Sequence, residues 1–236
     1  MSDFEKLMKY FENGYYADFI MQLFEIIAII SGVILVRKDK LGILFLAYLV
    51  FDLSVSLGVT YIKVFSSVTT YEISVIIKIT NTLIALLELC VYFYFFRNIL
   101  ANPTMLKTIK ILRVVFISLI SLSIAIHSVF FTEKYSYIAN AIWTTEFLFL
   151  LPPCLTYFYE LLKRESLVNL YQRPSFWIVT GIFFYSATSI PYYTISHFLI
   201  NQYNWRFTSL LFFSIPFTIN FIFLSIAFLC KKKLTI

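Results

Sequence analysis

Away from their ends, the long apolar stretches of this sequence contain the charged residues Glu25, Asp52, Lys78, Glu88 and Glu146. Placing a charge at the centre of a lipid bilayer costs at least about 2.5–3.5 kcal/mol, so such residues usually face the interior of a helix bundle and have partners. These acids outnumber the single lysine. Some of them must therefore be protonated, exposed to water or bound to a cationic ligand.

The positions of these residues along the apolar stretches predict two groups. The first group lies towards one end of the stretches at similar depths, and it consists of Glu25, Lys78, Glu146 and, slightly further out, His127. We expect it to line a ligand-binding polar pocket. Asp52 and Glu88 lie nearer the middle and are candidates for a proton or cation relay. The alternative for both groups is structural, with Lys78 in an ion pair and protonated acids bonded to neighbouring helices.

Other residue types exclude several chemistries. His127 and His197 do not have the spacing of a zinc-binding pair. The sequence has no Gly-x-Ser-x-Gly motif and no phosphate-binding glycine loop, and it contains only five glycines. The last apolar stretch has no lysine that could bind retinal. We therefore predict no catalytic residues, no metal site and no cofactor. An enzyme acting on lipid would need the buried carboxylates to converge in one cavity.

The elements that must position these residues are membrane-spanning helices. The chain is 60% hydrophobic and 14% charged, and a helix needs about 20 apolar residues to cross a bilayer core of about 30 Å. We predict an all-α polytopic membrane protein with seven transmembrane helices, in which residues 16–236 form a single domain. The predicted spans are Tyr16–Val36, Leu41–Ile62, Glu72–Phe96, Ile111–Phe131, Ile138–Leu161, Ser175–Ile200 and Phe207–Cys230. The longest predicted loops are Arg97–Lys110 and Leu162–Pro174.

Basic residues are concentrated in alternate gaps between the spans. The rich gaps, counted together with the first residues of the next span, contain Arg37, Lys38 and Lys40, then Arg97, Lys107, Lys110 and Arg113, then Lys163, Arg164 and Arg173, and finally Lys231, Lys232 and Lys233. Short loops rich in lysine and arginine stay in the cytoplasm, which predicts an outside N-terminus and a cytoplasmic C-terminus. The predicted pocket then faces outward. Because orientation explains the net charge of +6, we expect the lipid bilayer and not nucleic acid as the partner.

Residues 1–15 predict a short amphipathic helix on the outer leaflet. Ser2 and Glu5 have the spacing of a capping box, and the apolar residues Phe4, Leu7, Met8 and Phe11 follow at helical spacing. A frayed tail is the alternative. No basic segment precedes a short apolar stretch with a small-residue cleavage site, so we expect no removable signal peptide.

Two segments carry a resemblance to a known group of proteins. Tyr157-Phe158-Tyr159-Glu160-Leu161-Leu162 leads through Asn169-Leu170 to Arg173-Pro174-Ser175-Phe176-Trp177-Ile178-Val179-Thr180-Gly181. This pattern resembles a group of uncharacterised seven-helix integral membrane proteins from Bacteroidetes-type bacteria, which is akin to the seven-helix sensor regions of histidine kinases. The resemblance implies a multi-pass protein of the bacterial cytoplasmic (inner) membrane and lends no catalytic residues. No fused output domain is expected after Lys231–Ile236.

Together these patterns favour a non-enzymatic, stand-alone, sensor-like module. Such a module would bind a small molecule or a lipid, or it would bind another membrane protein. The pocket residues would recognise the bound ligand or partner. The alternative is a small transporter or a carrier coupled to a cation or proton, in which Asp52 and Glu88 would form the relay. Prolines inside the predicted spans, at Pro152, Pro153, Pro191 and Pro216, predict kinks beside a cavity.

Overall fold

The computed structural model describes residue 5 and residues 16–35, 40–65, 70–130, 135–163, 170–203 and 206–230. Within these ranges it describes the side chains except those at 35, 70–78, 123–130, 135–141, 194–203 and 206–213. The predicted surface helix at residues 1–15 therefore lies outside the described residues apart from Glu5, which is helical and exposed.

The described residues form seven α-helices joined by short segments. The helices are α1 (Tyr16–Leu35), α2 (Lys40–Phe65), α3 (Thr70–Ile99), α4 (Pro103–Phe130), α5 (Tyr135–Lys163), α6 (Pro174–Tyr203) and α7 (Arg206–Leu229), and a 3₁₀ turn at Leu170–Gln172 precedes α6. Helices satisfy their backbone hydrogen bonds internally, which suits apolar segments of this length. The prediction of an all-α chain is confirmed for these residues, and each predicted span coincides largely with one helix.

Three stretches are long and apolar enough to cross a membrane, judged by length and composition over the described residues. They are Tyr16–Ile34 in α1, Lys40–Phe65, which is the whole of α2, and Ile79–Ile99 in α3. Large apolar side chains are exposed on the outside of the bundle, with Ile34 of α1 at 71% and Ile111 of α4 at 64%. In water such a surface would be unfavourable, whereas lipid tails would cover it without cost.

The predicted loop Arg97–Lys110 is wrong over most of its length, because α4 begins at Pro103. Two caps explain this start, one from the carboxamide of Asn102 and one from the carboxylate of Glu160. The Oδ1 atom of Asn102 accepts hydrogen bonds from the backbone N–H of Thr104 (2.9 Å) and Met105 (3.2 Å). Glu160 of α5 accepts bonds from the N–H groups of Ala101 (3.1 Å) and Asn102 (2.9 Å). Pro103 is in the first turn of α4, where a proline loses no helical hydrogen bond. Together with the two caps, it allows the basic segment that follows to be helical.

The helices pack as a closed ring in chain order. Each helix contacts the next, α7 packs against α1, and α3 and α5 also touch across the ring. The helices α5, α6 and α7 are continuous through their internal prolines. Polar residues of α1, α2 and α3 line one cavity in this ring together with Trp143 of α5 and Phe217 of α7.

An aromatic core fills the bundle near the α1–α2 connection and the C-terminal end of α3. Phe45 of α2 packs against Tyr92 (6.0 Å between ring centroids) and Phe95 (5.3 Å) of α3, and Phe95 packs against Phe96 (5.5 Å). All four rings are fully buried. This core closes one end of the ring, and the polar residues lie towards the other end.

Candidate functional site

A cavity of about 120 Å³ opens among α1, α2, α3, α5 and α7. Its polar lining comes from Asp18 and Glu25 of α1, Asp52, Ser56, Thr60 and Lys63 of α2, and Asn81 of α3. Its apolar lining comes from Met21, Val55, Val59, Ile84, Trp143 and Phe217. Pockets that bind small ligands combine an apolar wall with a few converging polar groups in this way.

Polar residues at helical spacing join α1 to α2 along one side of the cavity, and we call this row the polar seam. It consists of Asp18, Gln22 and Glu25 on α1 and Asp52, Ser56, Thr60 and Lys63 on α2. Residues three, four and seven apart share one helix face. Two antiparallel helices with such faces therefore bring these side chains together in successive layers.

The outermost layers of the polar seam are an ion pair and a set of hydrogen bonds. The Nζ atom of Lys63 lies 3.5 Å from the Oδ2 atom of Asp18. One turn deeper, the Nε2 atom of Gln22 donates to the Oγ atom of Ser56 (3.0 Å) and the Oγ1 atom of Thr60 (3.1 Å). These contacts satisfy polar groups that would otherwise be costly at this depth. They also fix the positions of α1 and α2 at the mouth of the cavity.

The innermost layer of the polar seam is a pair of carboxyl groups. Glu25 and Asp52 lie within hydrogen-bonding contact of each other, and Glu25 is almost fully buried. No described residue donates a hydrogen bond to the Oε1 atom of Glu25. Two adjacent carboxylates repel each other strongly where water is scarce. A proton shared by the pair or a bound cation would remove this repulsion.

Glu88 of α3 extends the acidic series into the middle of the bundle. It is buried and interacts electrostatically with Asp52. Tyr48 of α2, Tyr92 of α3 and Tyr185 of α6 lie in hydrogen-bonding contact with its carboxyl group. The bond from the hydroxyl of Tyr185 to the Oε2 atom of Glu88 is long, at 3.5 Å. We call these three residues the tyrosine cage, and their hydroxyls can donate to the carboxyl oxygens or relay a proton.

Glu146 of α5 is fully buried beyond the tyrosine cage. Neither of its carboxyl oxygens has a hydrogen-bond partner within the part of the chain that the structure describes. Its largest electrostatic interaction is with Glu88. The Oγ atom of Ser186 and the Oδ1 atom of Asn220 are likewise buried without a described partner. A carboxyl group in this setting is unfavourable as an anion.

An aromatic cluster contributes to the apolar lining of the cavity. Trp143 of α5 stacks on Tyr193 of α6, with ring centroids 5.8 Å apart and planes 7° from parallel. Phe217 of α7 meets the Trp143 ring edge-on at 6.4 Å and the Tyr185 ring at 4.8 Å. Only Trp143 and Phe217 of this cluster line the cavity. The Trp143 ring is therefore held in place by its neighbours.

The structure groups the predicted site residues differently from the sequence prediction. Glu25 lines the cavity, and its neighbour there is Asp52, which the sequence prediction placed with Glu88 in a separate relay. Glu146 does not line the cavity. The side chains of Lys78 and His127 lie outside the described residues. Depth along a span can be counted from the sequence, but the face on which a residue lies depends on how the helices pack.

Sequence analysis missed the residues that connect the predicted acids to the mouth of the cavity. One of them is Lys63, which is in the last turn of α2 and pairs with Asp18. The signal that could have identified these residues is their spacing along the sequence. Gln22, Ser56 and Thr60 fall at helical spacing from the acids, and this pattern marks one polar face on each helix.

Comparison of the chain with protein-family models, curated proteins and solved structures finds no match. In the described part of the chain, no group of three or more His, Cys, Asp or Glu side chains is arranged to hold a metal ion.

Proposed function

We propose that the chain is a non-enzymatic, multi-pass protein of a bacterial inner membrane. In this proposal all seven helices span the bilayer, the N-terminus is outside and the C-terminus is cytoplasmic. The apolar stretches of α1, α2 and α3 support it, as do the exposed apolar side chains of the bundle and the distribution of lysine and arginine. The resemblance to seven-helix proteins of Bacteroidetes-type bacteria agrees with this proposal.

The proposed function is sensor-like binding of a small ligand in the outward-facing cavity. The observation that carries it is the open cavity of about 120 Å³ with Glu25 at its inner end. An almost fully buried carboxyl oxygen without a described donor is costly unless something binds there. Ligand binding would supply the missing partner. It would also change the contacts between α1 and α2, which is a route by which occupancy could reach a membrane partner protein.

A thermal-shift screen of the purified chain in lipid nanodiscs tests this function. The screen uses small amines, amino acids, sugars and short-chain acids as probes. A ligand at about 100 times its dissociation constant stabilises the folded state by about 2.7 kcal/mol, which is several degrees in the unfolding midpoint. The shift should disappear in Glu25→Gln and Asp52→Asn.

The control variant is Glu160→Gln, which neutralises a carboxyl group at the opposite end of the helices, where Glu160 contacts the start of α4. Its shift should equal that of the wild type. Equal shifts in the wild type, the two cavity variants and the control would contradict the proposal, because binding would then be elsewhere.

A cation- or proton-coupled carrier is the second candidate. The observation that favours it is the inward series of acids. Asp52 lines the cavity, and Glu88, which interacts with Asp52, lies deeper within the tyrosine cage. Such series of buried acids are typical of proton pathways in transporters. Reconstituted liposomes with an internal pH dye should then show proton flux that Asp52→Asn and Glu88→Gln abolish. Flux that is absent from the wild type, or equal in all variants, would exclude this candidate.

A further inference from the structure

We infer that the ligand of the cavity is a small organic ammonium ion, one whose nitrogen carries methyl or other short alkyl groups. This inference rests on the proposed function and adds the chemical class of the ligand. Three independent properties of the cavity lead to it, namely its charge, its aromatic wall and its size.

The charge of the cavity favours a cation. Among the described lining residues, Lys63 already forms an ion pair with Asp18 at the mouth. The inner end contains Glu25 and Asp52 in contact with each other. Glu25 lines the same cavity, and its Oε1 atom is buried and has no donor among the described residues. A cation next to this carboxyl pair would relieve the repulsion between its members.

The aromatic wall favours an alkylated cation over a bare metal ion. Trp143 and Phe217 line the same cavity as the polar seam. A cation is attracted to the face of an aromatic ring, most strongly to tryptophan, and aromatic rings are the usual partners of quaternary ammonium groups. Val55, Val59 and Ile84 add aliphatic surface to the lining. An alkali metal ion would gain nothing from this aliphatic surface, whereas methyl groups pack against it.

The size of the cavity limits the ligand to a few heavy atoms. A cavity of about 150 Å³ in another protein holds benzene, and a water molecule occupies about 30 Å³ in the liquid. The present cavity, at about 120 Å³, has room for a tetramethylammonium-sized ion. A zwitterion would need a second cationic partner for its carboxylate, and the lining cation Lys63 is paired with Asp18.

Charged thiol reagents of similar size test the inference directly. Val59 lines the cavity and is partly exposed, and cysteine is close to valine in volume. We expect Val59→Cys in nanodiscs to react at least ten times faster with a trimethylammonium-ethyl methanethiosulfonate than with the sulfonate-ethyl analogue. Tetramethylammonium chloride should slow the cationic reagent, whereas equal sodium chloride or neutral tert-butanol should not. Adding Glu25→Gln or Asp52→Asn should remove the preference.

Two controls make the rates interpretable. The wild type, followed by intact mass, gives the background from Cys90, Cys154 and Cys230. Leu57→Cys, on the exposed face of α2, should show no preference for the cationic reagent and no protection by tetramethylammonium.

A further variant tests Lys78 of α3, whose side chain lies outside the described residues, as an occupant of the cavity. For this purpose Lys78→Met is made in the Val59→Cys chain. Tetramethylammonium protection seen only with Lys78→Met would overturn the inference, because the lysine would then be the native occupant.

The remaining outcomes separate the inference from the proposed function. Equal modification of Val59→Cys by both reagents, without protection by tetramethylammonium, would overturn the ammonium ligand and leave an open ligand cavity. Absence of modification by either reagent would overturn both, because the cavity would then be closed to solutes. Faster cationic modification with protection by tetramethylammonium, abolished by Glu25→Gln, would support both.

Discussion

Asn220 of α7 is bonded to a residue on the far side of the ring. Its Nδ2 atom donates to the hydroxyl of Tyr92 of α3 at 2.9 Å, and both side chains are buried. The bonded pair links the tyrosine cage around Glu88 to the last helix. A polar contact of this kind holds helices together where lipid provides no hydrophobic driving force between them.

We predict that Tyr92→Phe destabilises the folded chain by about 1 kcal/mol, because the buried amide of Asn220 loses its acceptor. Asn220→Leu should cost a similar amount. The double variant should cost less than the sum of the two single variants, since both remove the same bond. Unfolding of the purified variants in detergent, followed by circular dichroism against denaturant, measures the three values. Strict additivity would show that the bond contributes nothing.

At this scale, the buried acids were identifiable from sequence because charged residues are rare within apolar stretches. The partners of these acids were not identifiable from sequence. Glu25 and Asp52 are on different helices, and only the packing of α1 against α2 brings them into contact. The tyrosine cage was hidden for a similar reason, because tyrosine is frequent throughout this chain and its general abundance predicts a membrane-interface belt.

Two glycines show how closely the helices approach one another. A Cβ atom on Gly181 of α6 would lie 2.9 Å from the Cβ atom of Phe223 and 3.0 Å from the Oδ1 atom of Asn220, both on α7. The ring of Phe223 is stacked between Trp177 (5.8 Å) and Phe184 (6.0 Å) and so has little room to move. By contrast, nothing lies within 4 Å of a Cβ atom built on Gly58 of α2.

We predict opposite effects of alanine at these two positions. Gly181→Ala should destabilise the chain by about 1–3 kcal/mol, because α6 and α7 must separate to admit the methyl group. Gly58→Ala should be neutral or stabilising by up to about 1 kcal/mol, because alanine favours the helix. Thermal unfolding in the same detergent compares the two variants. Equal stabilisation at both positions would show that helix propensity decides the effect and not the close α6–α7 contact.

At the scale of helices, the sequence located all seven elements but missed the start of α4. The lysines that suggested a loop are in the first turns of this helix, and the cap from Glu160 comes from α5, 58 residues further along the chain than Asn102. A long-range cap of this kind leaves no local pattern. The start of α6 at Pro174 was predictable, because proline suits the first turn of a helix.

The whole molecule is a ring in which the first and last helices touch. Gly32 of α1 is so close to α7 that a Cβ atom there would lie 3.3 Å from the ring of Phe228. The ring therefore depends on contacts between residues at opposite ends of the sequence, which no local pattern could predict. The two ends of the molecule therefore differ, because the aromatic core closes one end and the other end is open and polar.

We predict that the open polar end faces the outside of the cell, because lysine and arginine are concentrated at the other end. Epitope tags at the two termini of the full chain test this orientation. Antibody should reach the N-terminal tag in intact spheroplasts and the C-terminal tag only after permeabilisation. The reverse pattern, or two termini on one side, would contradict the proposed topology.

During synthesis α1 leaves the ribosome before α2, and the polar seam determines when α1 can move into lipid. Alone, α1 would carry Gln22 and Glu25 into the hydrocarbon without the Ser56, Thr60 and Asp52 groups that they contact in the folded chain. Transfer of such groups without partners is unfavourable. We therefore expect the first two helices to leave the translocon together as a hairpin, so that the ligand cavity begins to form before the other five helices have been made.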